Sequence, residues 1–171
     1  MFKINYNVIK LTPQIIDTLN IAFGVHQWAL SGSNLFYLLG IVDRDDIDDI
    51  DICVSEIGYE NYKKYHSENF VGSFYYKKCK PKCGEITNYS PALFYSKLFL
   101  TDPIVPIDVF VYSDESYEKY AINKINLFDR IIYGFDINYI YHIKKKWCTN
   151  LNYSVAREKQ QNDCKKIEEY F

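Results

Sequence analysis

The sequences LSGS at residues 30–33 and DIDICV at residues 49–54 decide the fold prediction. Residues 28–30 are predicted to form a short buried strand, and Ser31-Gly32-Ser33-Asn34 a turn, after which a helix is predicted over 35–39. In DIDICV, apolar side chains alternate with Asp and Cys, which is typical of a strand with one apolar and one polar face. The two stretches together predict a strand–turn–helix–strand unit.

Helices and further strands extend this unit in both directions. Thr12 and Pro13 begin a predicted helix, because a hydroxyl cap followed by proline is typical of a helix start, and Gly24 ends it. Alternating side chains and turn residues predict further strands at 70–76, 94–100 and 107–112. From Asp114 onward the chain is predicted to be helical, ending in an amphipathic stretch over 154–170.

Element order and length together favour one α+β domain. The order predicts a mixed β-sheet flanked by helices, with a helical C-terminal tail. The chain has 171 residues, so we expect a single domain over 1–171, with its core at about 12–112 and a helical portion at about 113–171. Twenty basic against 22 acidic residues give a net charge of −2, which argues against a nucleic-acid binder with a broad positive surface.

Cysteine usage and hydropathy predict a protein of the reducing cytoplasm. The first residues lack the apolar core of a signal peptide, and the longest largely apolar run, 35–42, is far shorter than a membrane span. We therefore expect no membrane association, and free thiols. Cys79 and Cys83 have a spacing possible for zinc, but no second pair is evident, and Cys148 and Cys164 would have to converge from the helical tail. Zinc binding stays open.

Three aspartates form the candidate metal site. Asp49 and Asp51 lie two apart on a predicted strand, so their carboxylates point the same way and repel each other unless a cation lies between them. Oxygen-rich sites of this kind select Mg²⁺ or Mn²⁺. The alternative is a solvated acidic edge. Asp108 lies inside the apolar strand at 107–112, where a carboxylate is costly without a partner, and a neighbouring strand with a shared metal would supply one.

Two further features have both a binding and an ordinary interpretation. The turn at Gly32 and Ser33 precedes a helix, where backbone amides can approach a phosphate closely, although small turns of this kind are common. Lys144-Lys145-Lys146 lies beside Trp147 and is either an RNA or phosphate contact or the solvated face of a helix.

The quoted motifs resemble the nucleotidyltransferase superfamily that includes DNA polymerase beta. Its pattern is a hydrophobic residue before Gly-Ser, then an Asp-x-Asp strand, then a third carboxylate on a nearby strand. Residues 30–54 are most similar to the minimal bacterial and phage members, including those of toxin–antitoxin systems. The tail from Ala156 to Lys159 is similar to their terminal helix. The alternative pair Asp46 and Asp48 would give a more usual gap after Ser33, but the strand continues from Asp51.

The resemblance implies a two-metal nucleotidyl transfer. Gly32 and Ser33 would bind the triphosphate of an NTP such as ATP. All three aspartates would bind the Mg²⁺ or Mn²⁺ ions, and Asp108 would accept the proton of the acceptor hydroxyl.

The tail and the acceptor are less defined. Arg157 and Lys159 would offset phosphate charge, or else lie on an ordinary helix face. The acceptor stays open among protein, RNA such as tRNA, and small molecules, and a protein partner is possible. The competing interpretation is a non-catalytic binding or partner protein of the same fold.

Overall fold

A mixed sheet of seven strands forms the centre of the described part of the chain, in the order β3-β4-β5-β2-β1-β7-β6. The computed structural model describes residues 11–42, 49–65, 70–71, 92–101, 104–149 and 157–171. The strands are β1 (Trp28–Ser31), β2 (Ile50–Ser55), β3 (Phe70–Val71), β4 (Phe94–Thr101), β5 (Ile104–Tyr112), β6 (Asn123–Leu127) and β7 (Arg130–Gly134). The helices are α1 (Pro13–Phe23), α2 (Gly32–Leu38), α3 (Glu56–Tyr65), α4 (Asp114–Tyr120), α5 (Ile137–Thr149) and α6 (Arg157–Tyr170). The α+β class with a C-terminal helix is confirmed.

Helix α1 forms where the sequence predicts it. The Thr12 hydroxyl accepts a hydrogen bond from the Ile15 amide at 3.3 Å, with Pro13 in the first turn. The helix ends at Gly24, which has a positive φ of 99° and donates its amide to the Asn20 carbonyl. Its buried side chains lie on one face and pack into the core: Ile15, Ile16, Leu19, Ala22 and Phe23.

Strand β2 is the central strand of the seven-stranded sheet. It pairs antiparallel with β1 and parallel with β5. The sequence predicts one apolar and one polar face, but Cys53 and Ser55 on the second face are buried too. Side chains around Tyr112 and Tyr117 cover the part of this face near Cys53, whereas Asp51, at the start of the strand, is only partly buried.

The region after Asp114 is not all helical, which corrects the sequence prediction. Strands β6 and β7 form an antiparallel hairpin, and β7 adds to the sheet beside β1 in parallel. The two-residue turn is made by Phe128 and Asp129, which both have a positive φ, 52° and 58°. Turns of this hand usually contain Asn or Gly, so the sequence carries no ordinary hairpin signal here. Pairing with β1, which is remote in sequence, stabilises the hairpin in place of a helix.

The two C-terminal helices pack against each other, as the amphipathic pattern of the tail suggests. Helix α6 buries Ile167 completely, and Cys164 almost completely, on its inner face. Lys144 of α5 forms a buried ion pair with Asp163 of α6, with 3.0 Å between Nζ and Oδ2. The tail is therefore part of the core rather than an appendage, and it adjoins the edge of the sheet where the aspartates lie.

Several sequence predictions concern segments outside the described residues. The strand predicted at 70–76 is described only at Phe70–Val71. Cys79 and Cys83, as well as the alternative pair Asp46 and Asp48, lie in ranges that the structure does not describe. Among the helices that it does describe, none combines the length and the apolar character needed to cross a bilayer.

Candidate metal and nucleotide site

Three carboxylates converge at one edge of the sheet. Parallel pairing places Asp51 of β2 directly beside Asp108 of β5, and Asp49 lies immediately before β2. One oxygen from each carboxylate lies within 4.8 Å of the others. The structure thus brings together the three aspartates that the sequence singles out, because the register of two strands remote in sequence aligns them.

A cleft of about 250 Å³ surrounds these carboxylates. It is closed by the β1–α2 turn on one side and by α5 and α6 on another. Its lining consists of Ser31, Gly32, Ser33, Asp49, Asp51, Asp108, Phe110, Ile140, Lys144, Lys159 and Gln160. Six of the sequence-predicted residues, Gly32 and Lys159 among them, therefore face one space. Arg157 is the first residue of α6, and its role stays a prediction.

Gly32 is required by the backbone and by its neighbour. Its φ of 62° lies in the left-handed region, and a Cβ at this position would overlap the carboxylate of Asp51. The antiparallel register sets Ser31 opposite Asp51, so the first turn of α2 starts directly against β2. The helix therefore starts at Gly32, three residues before the helix predicted from the sequence.

Asn34 holds the backbone of Asp49 and was not found by sequence reasoning. Its side-chain amide donates a 2.7 Å hydrogen bond to the Asp49 carbonyl oxygen, and the residue is almost fully buried. The contact fixes the point at which β2 begins. An Asn in the first turn of a short helix gives no local signal of such a contact, which depends on how α2 packs on β2.

Burial dominates the electrostatics of Asp51. It raises the pKa of this carboxyl to about 7, and the neighbouring charges of Asp49 and Asp108 add to the rise, while Lys144 and Lys159 oppose it. Near neutral pH the Asp51 carboxyl of the folded, metal-free protein is therefore only partly ionised. A divalent cation among the three carboxylates would lower this pKa and favour the ionised form.

Asp108 has two polar partners on the adjacent strand. The Tyr95 hydroxyl donates to Oδ1 of Asp108 at 3.0 Å, and Nζ of Lys97 lies 3.4 Å from the same oxygen. Burial raises the pKa of Asp108, and Lys97 and Tyr95 oppose that rise. Both partners were missed, although the alternation of β4 places them on one face and the antiparallel register sets Lys97 opposite Asp108.

Lys144 is buried, unlike the two lysines that follow it in the predicted basic run. Its Nζ donates to Gln160 at 2.6 Å and to Asp163 at 3.0 Å, and it lies 5.4 Å from the Phe36 ring centre. Lys145 and Lys146 are exposed, and Lys145 pairs with Glu168. Lys145 and Lys146 therefore lie on an exposed helix face, as one of the two interpretations has it. Lys144 instead lines the cleft, because α6 covers that side of α5.

The donor set fits a hard divalent cation. Within the described ranges, Asp49, Asp51 and Asp108 are the one group of at least three acidic, His or Cys side chains close enough to share an ion. All three ligands are carboxylate oxygens, which suit Mg²⁺ and Mn²⁺ better than softer metals. The raised pKa of Asp51 and the mutual repulsion in the cluster favour the same conclusion.

Comparison with known proteins supports the fold. No family model and no curated protein matches the chain. Among solved structures, the chain is similar to the crystal structure of an antigenic nucleotidyltransferase-like protein from Paracoccidioides brasiliensis, with a TM-score of 0.51 and 12% sequence identity. The alignment covers 92% of this chain and 72% of the other. The chain therefore has a nucleotidyltransferase-like fold.

Proposed function

We propose that this protein is a metal-dependent nucleotidyltransferase, which moves a nucleoside monophosphate from an NTP to a hydroxyl of an acceptor and releases pyrophosphate. The observation that carries the proposal is one cleft in which three carboxylates face the Gly32-Ser33 turn. The nucleotidyltransferase-like fold supports it. The motif resemblance supports the finer assignment to minimal bacterial or phage members of the DNA polymerase beta superfamily, including the toxin–antitoxin type.

The phosphate-binding part consists of backbone and hydroxyl donors. Gly32 and Ser33 form the first turn of α2, where amide groups have no partner within the helix and attract anions. Lys159 of α6 faces the same cleft and would offset phosphate charge, and we assign the same role to Arg157. The triphosphate of an NTP such as ATP would lie between this turn and α6.

The carboxylates perform the second part of the chemistry. Asp49, Asp51 and Asp108 would hold Mg²⁺ or Mn²⁺, which supplies neutralisation of phosphate charge when bound. Asp108 would accept the proton of the attacking hydroxyl, since Tyr95 and Lys97 hold its carboxylate in one orientation. These residues position the reacting groups, and no residue needs to form a covalent intermediate.

The acceptor class is the open part of this proposal. The candidates are a protein, an RNA such as tRNA, and a small molecule, with a protein partner possible. We also propose that the chain acts as a single domain in the cytoplasm, a compartment in which stable disulfides are rare.

Label transfer tests the proposal directly. The protein is incubated with each α-³²P NTP, Mg²⁺ or Mn²⁺ and a cell extract, and the products are resolved for RNA and for protein. The inactive comparison is the double variant Asp49→Asn with Asp51→Asn, and the matched control is Asp129→Asn, an exposed aspartate in the β6–β7 turn. We expect label with the wild type and the control only. NTP binding without any transfer would establish the non-catalytic alternative instead.

A further inference from the structure

Two cysteines meet across the contact between α5 and α6. The sulfur atoms of Cys148 and Cys164 lie 3.8 Å apart, in van der Waals contact. Cys164 is buried, while Cys148 is partly exposed. The sequence suggested only that these residues would have to converge from the tail to share a metal, but within the described residues the pair has no third His, Cys, Asp or Glu positioned to complete such a site.

The contact between the two sulfur atoms permits a covalent link. A disulfide requires two sulfur atoms that approach without rearrangement of the backbone, and here they already touch. Cys148 is partly exposed, so a small reagent can reach it. Cys164 is buried and can react only with Cys148. Burial, and then the neighbouring Cys148, raise the pKa of Cys164 to about 12, so we expect Cys148 to react first and Cys164 second.

We propose that Cys148 and Cys164 form a reversible disulfide, made by exchange with a low-molecular-weight disulfide such as oxidised glutathione. The Cys148 thiolate attacks one glutathione sulfur, which forms a mixed disulfide and releases one glutathione thiol. The Cys164 thiolate then attacks the sulfur of Cys148 and releases the second glutathione thiol. Two protein thiols are oxidised, one glutathione disulfide is reduced, and the two thiol protons end on the two released glutathiones.

The link would act on the wall of the cleft. Cys148 lies one helical turn beyond Lys144, and Cys164 lies one turn beyond Gln160, and these two inner residues are joined by a 2.6 Å hydrogen bond. A covalent bond one turn away fixes α6 against α5, and with it Lys159 at the cleft. That this regulates nucleotide binding rests on the proposed function, whereas formation of the link does not.

The experiment measures the link and its consequence separately. The protein, in a Cys79→Ser and Cys83→Ser background, is equilibrated in glutathione buffers of different ratio, quenched with acid, alkylated and mapped by mass spectrometry. The same titration in guanidinium gives the unfolded reference. Cys148→Ser is the test variant, and Cys53→Ser is the control, because Cys53 is buried away from the pair.

We expect the native protein to lose two thiols through a Cys148–Cys164 link at a [GSH]²/[GSSG] value at least tenfold higher than the unfolded chain requires. Oxidation should raise Tm by about 5–10 °C, an increase typical of a loop of this size in a chain of this length. The Cys53→Ser control should behave in the same way, and Cys148→Ser should show neither effect. Equal half-oxidation ratios in the native and unfolded protein, or an unchanged Tm of the linked form, would overturn the proposal.

Nucleotide binding separates this proposal from the proposed function. We expect the oxidised and reduced proteins to bind Mn²⁺-ATP with different affinities. If neither form binds nucleotide while the link still forms, the proposed function fails and the disulfide proposal stands. If the reduced protein binds nucleotide but no link accumulates, the disulfide proposal alone fails.

Discussion

Replacing Asp51 by Asn should make the metal-free protein more stable, although it removes a residue that we place in the site. Asn keeps the shape of the side chain and removes a charge that burial and two neighbouring aspartates disfavour. The carboxyl titrates at 3.8 in an unfolded chain and at about 7 in the folded protein. Since each pKa unit corresponds to about 1.4 kcal/mol, ionised Asp51 costs about 4 kcal/mol of folding free energy.

The sign of this effect gives it a distinct pH dependence. Well below pH 3.8 the Asp51 carboxyl is protonated in both states and costs nothing. Between pH 4 and pH 7 it ionises only in the unfolded chain, so the wild type loses stability as the pH rises. Above about pH 7 the whole cost is present. The advantage of Asp51→Asn should therefore be full at pH 8 and small at pH 4.5.

Thermal and urea unfolding in EDTA at these two pH values check the prediction. At pH 8 we expect Asp51→Asn to raise Tm by about 10 °C, given the shift per kcal/mol usual for a chain of this length. Mn²⁺ should then stabilise the wild type and not the variant. The exposed Asp129→Asn variant is the control: Asn suits the positive φ of this turn, so any small gain in stability should be the same at both pH values. A variant that is less stable than the wild type at pH 8, or equally favoured at both pH values, would refute the reasoning.

Three other substitutions test separate contacts. Gly32→Ala should lower the free energy of unfolding by about 1–2 kcal/mol because of the positive φ alone, and further because the new Cβ overlaps the Asp51 carboxylate. Both Tm and nucleotide binding should therefore fall. Lys97→Met removes the cation that opposes the raised pKa of Asp108, so the acidic limb of the pH–rate profile should move to higher pH, and an unmoved limb would contradict the contact. Lys144→Met removes the buried amino group that pairs with Asp163 and should lower the free energy of unfolding in urea by about 3–5 kcal/mol, most of which Asp163→Leu should restore in the double variant.

Local patterns were enough to predict the elements that carry the site. The Thr12 cap and Gly24 define α1, and alternation in DIDICV defines β2, because these signals act within a few residues. An aspartate within an apolar strand also pointed to a partner, and the structure provides two further aspartates beside it. An aspartate whose burial in an apolar strand is energetically unfavourable was thus the most informative single feature of the sequence.

Features set by pairing remote in sequence were not predictable in the same way. Tyr95 and Lys97 reach Asp108 only through the register of β4 on β5, and Lys144 turns inward only because α6 covers it. The β6–β7 hairpin depends on β1 and on a turn of Phe128 and Asp129, which are unusual residues for a positive φ. In each case the deciding contact joins segments that no short window of sequence contains.

The parallel pairing of β2 with β5 has a consequence for the order in which the molecule folds. Its two strands are separated in sequence by α3, β3 and β4, so closing this contact requires a large loss of chain entropy. Until it closes, the aspartates of the two strands are apart and do not repel. The repulsion between Asp108 and the pair Asp49 and Asp51 therefore arises only when the centre of the sheet assembles, and a cation can be shared by all three carboxylates only after that step.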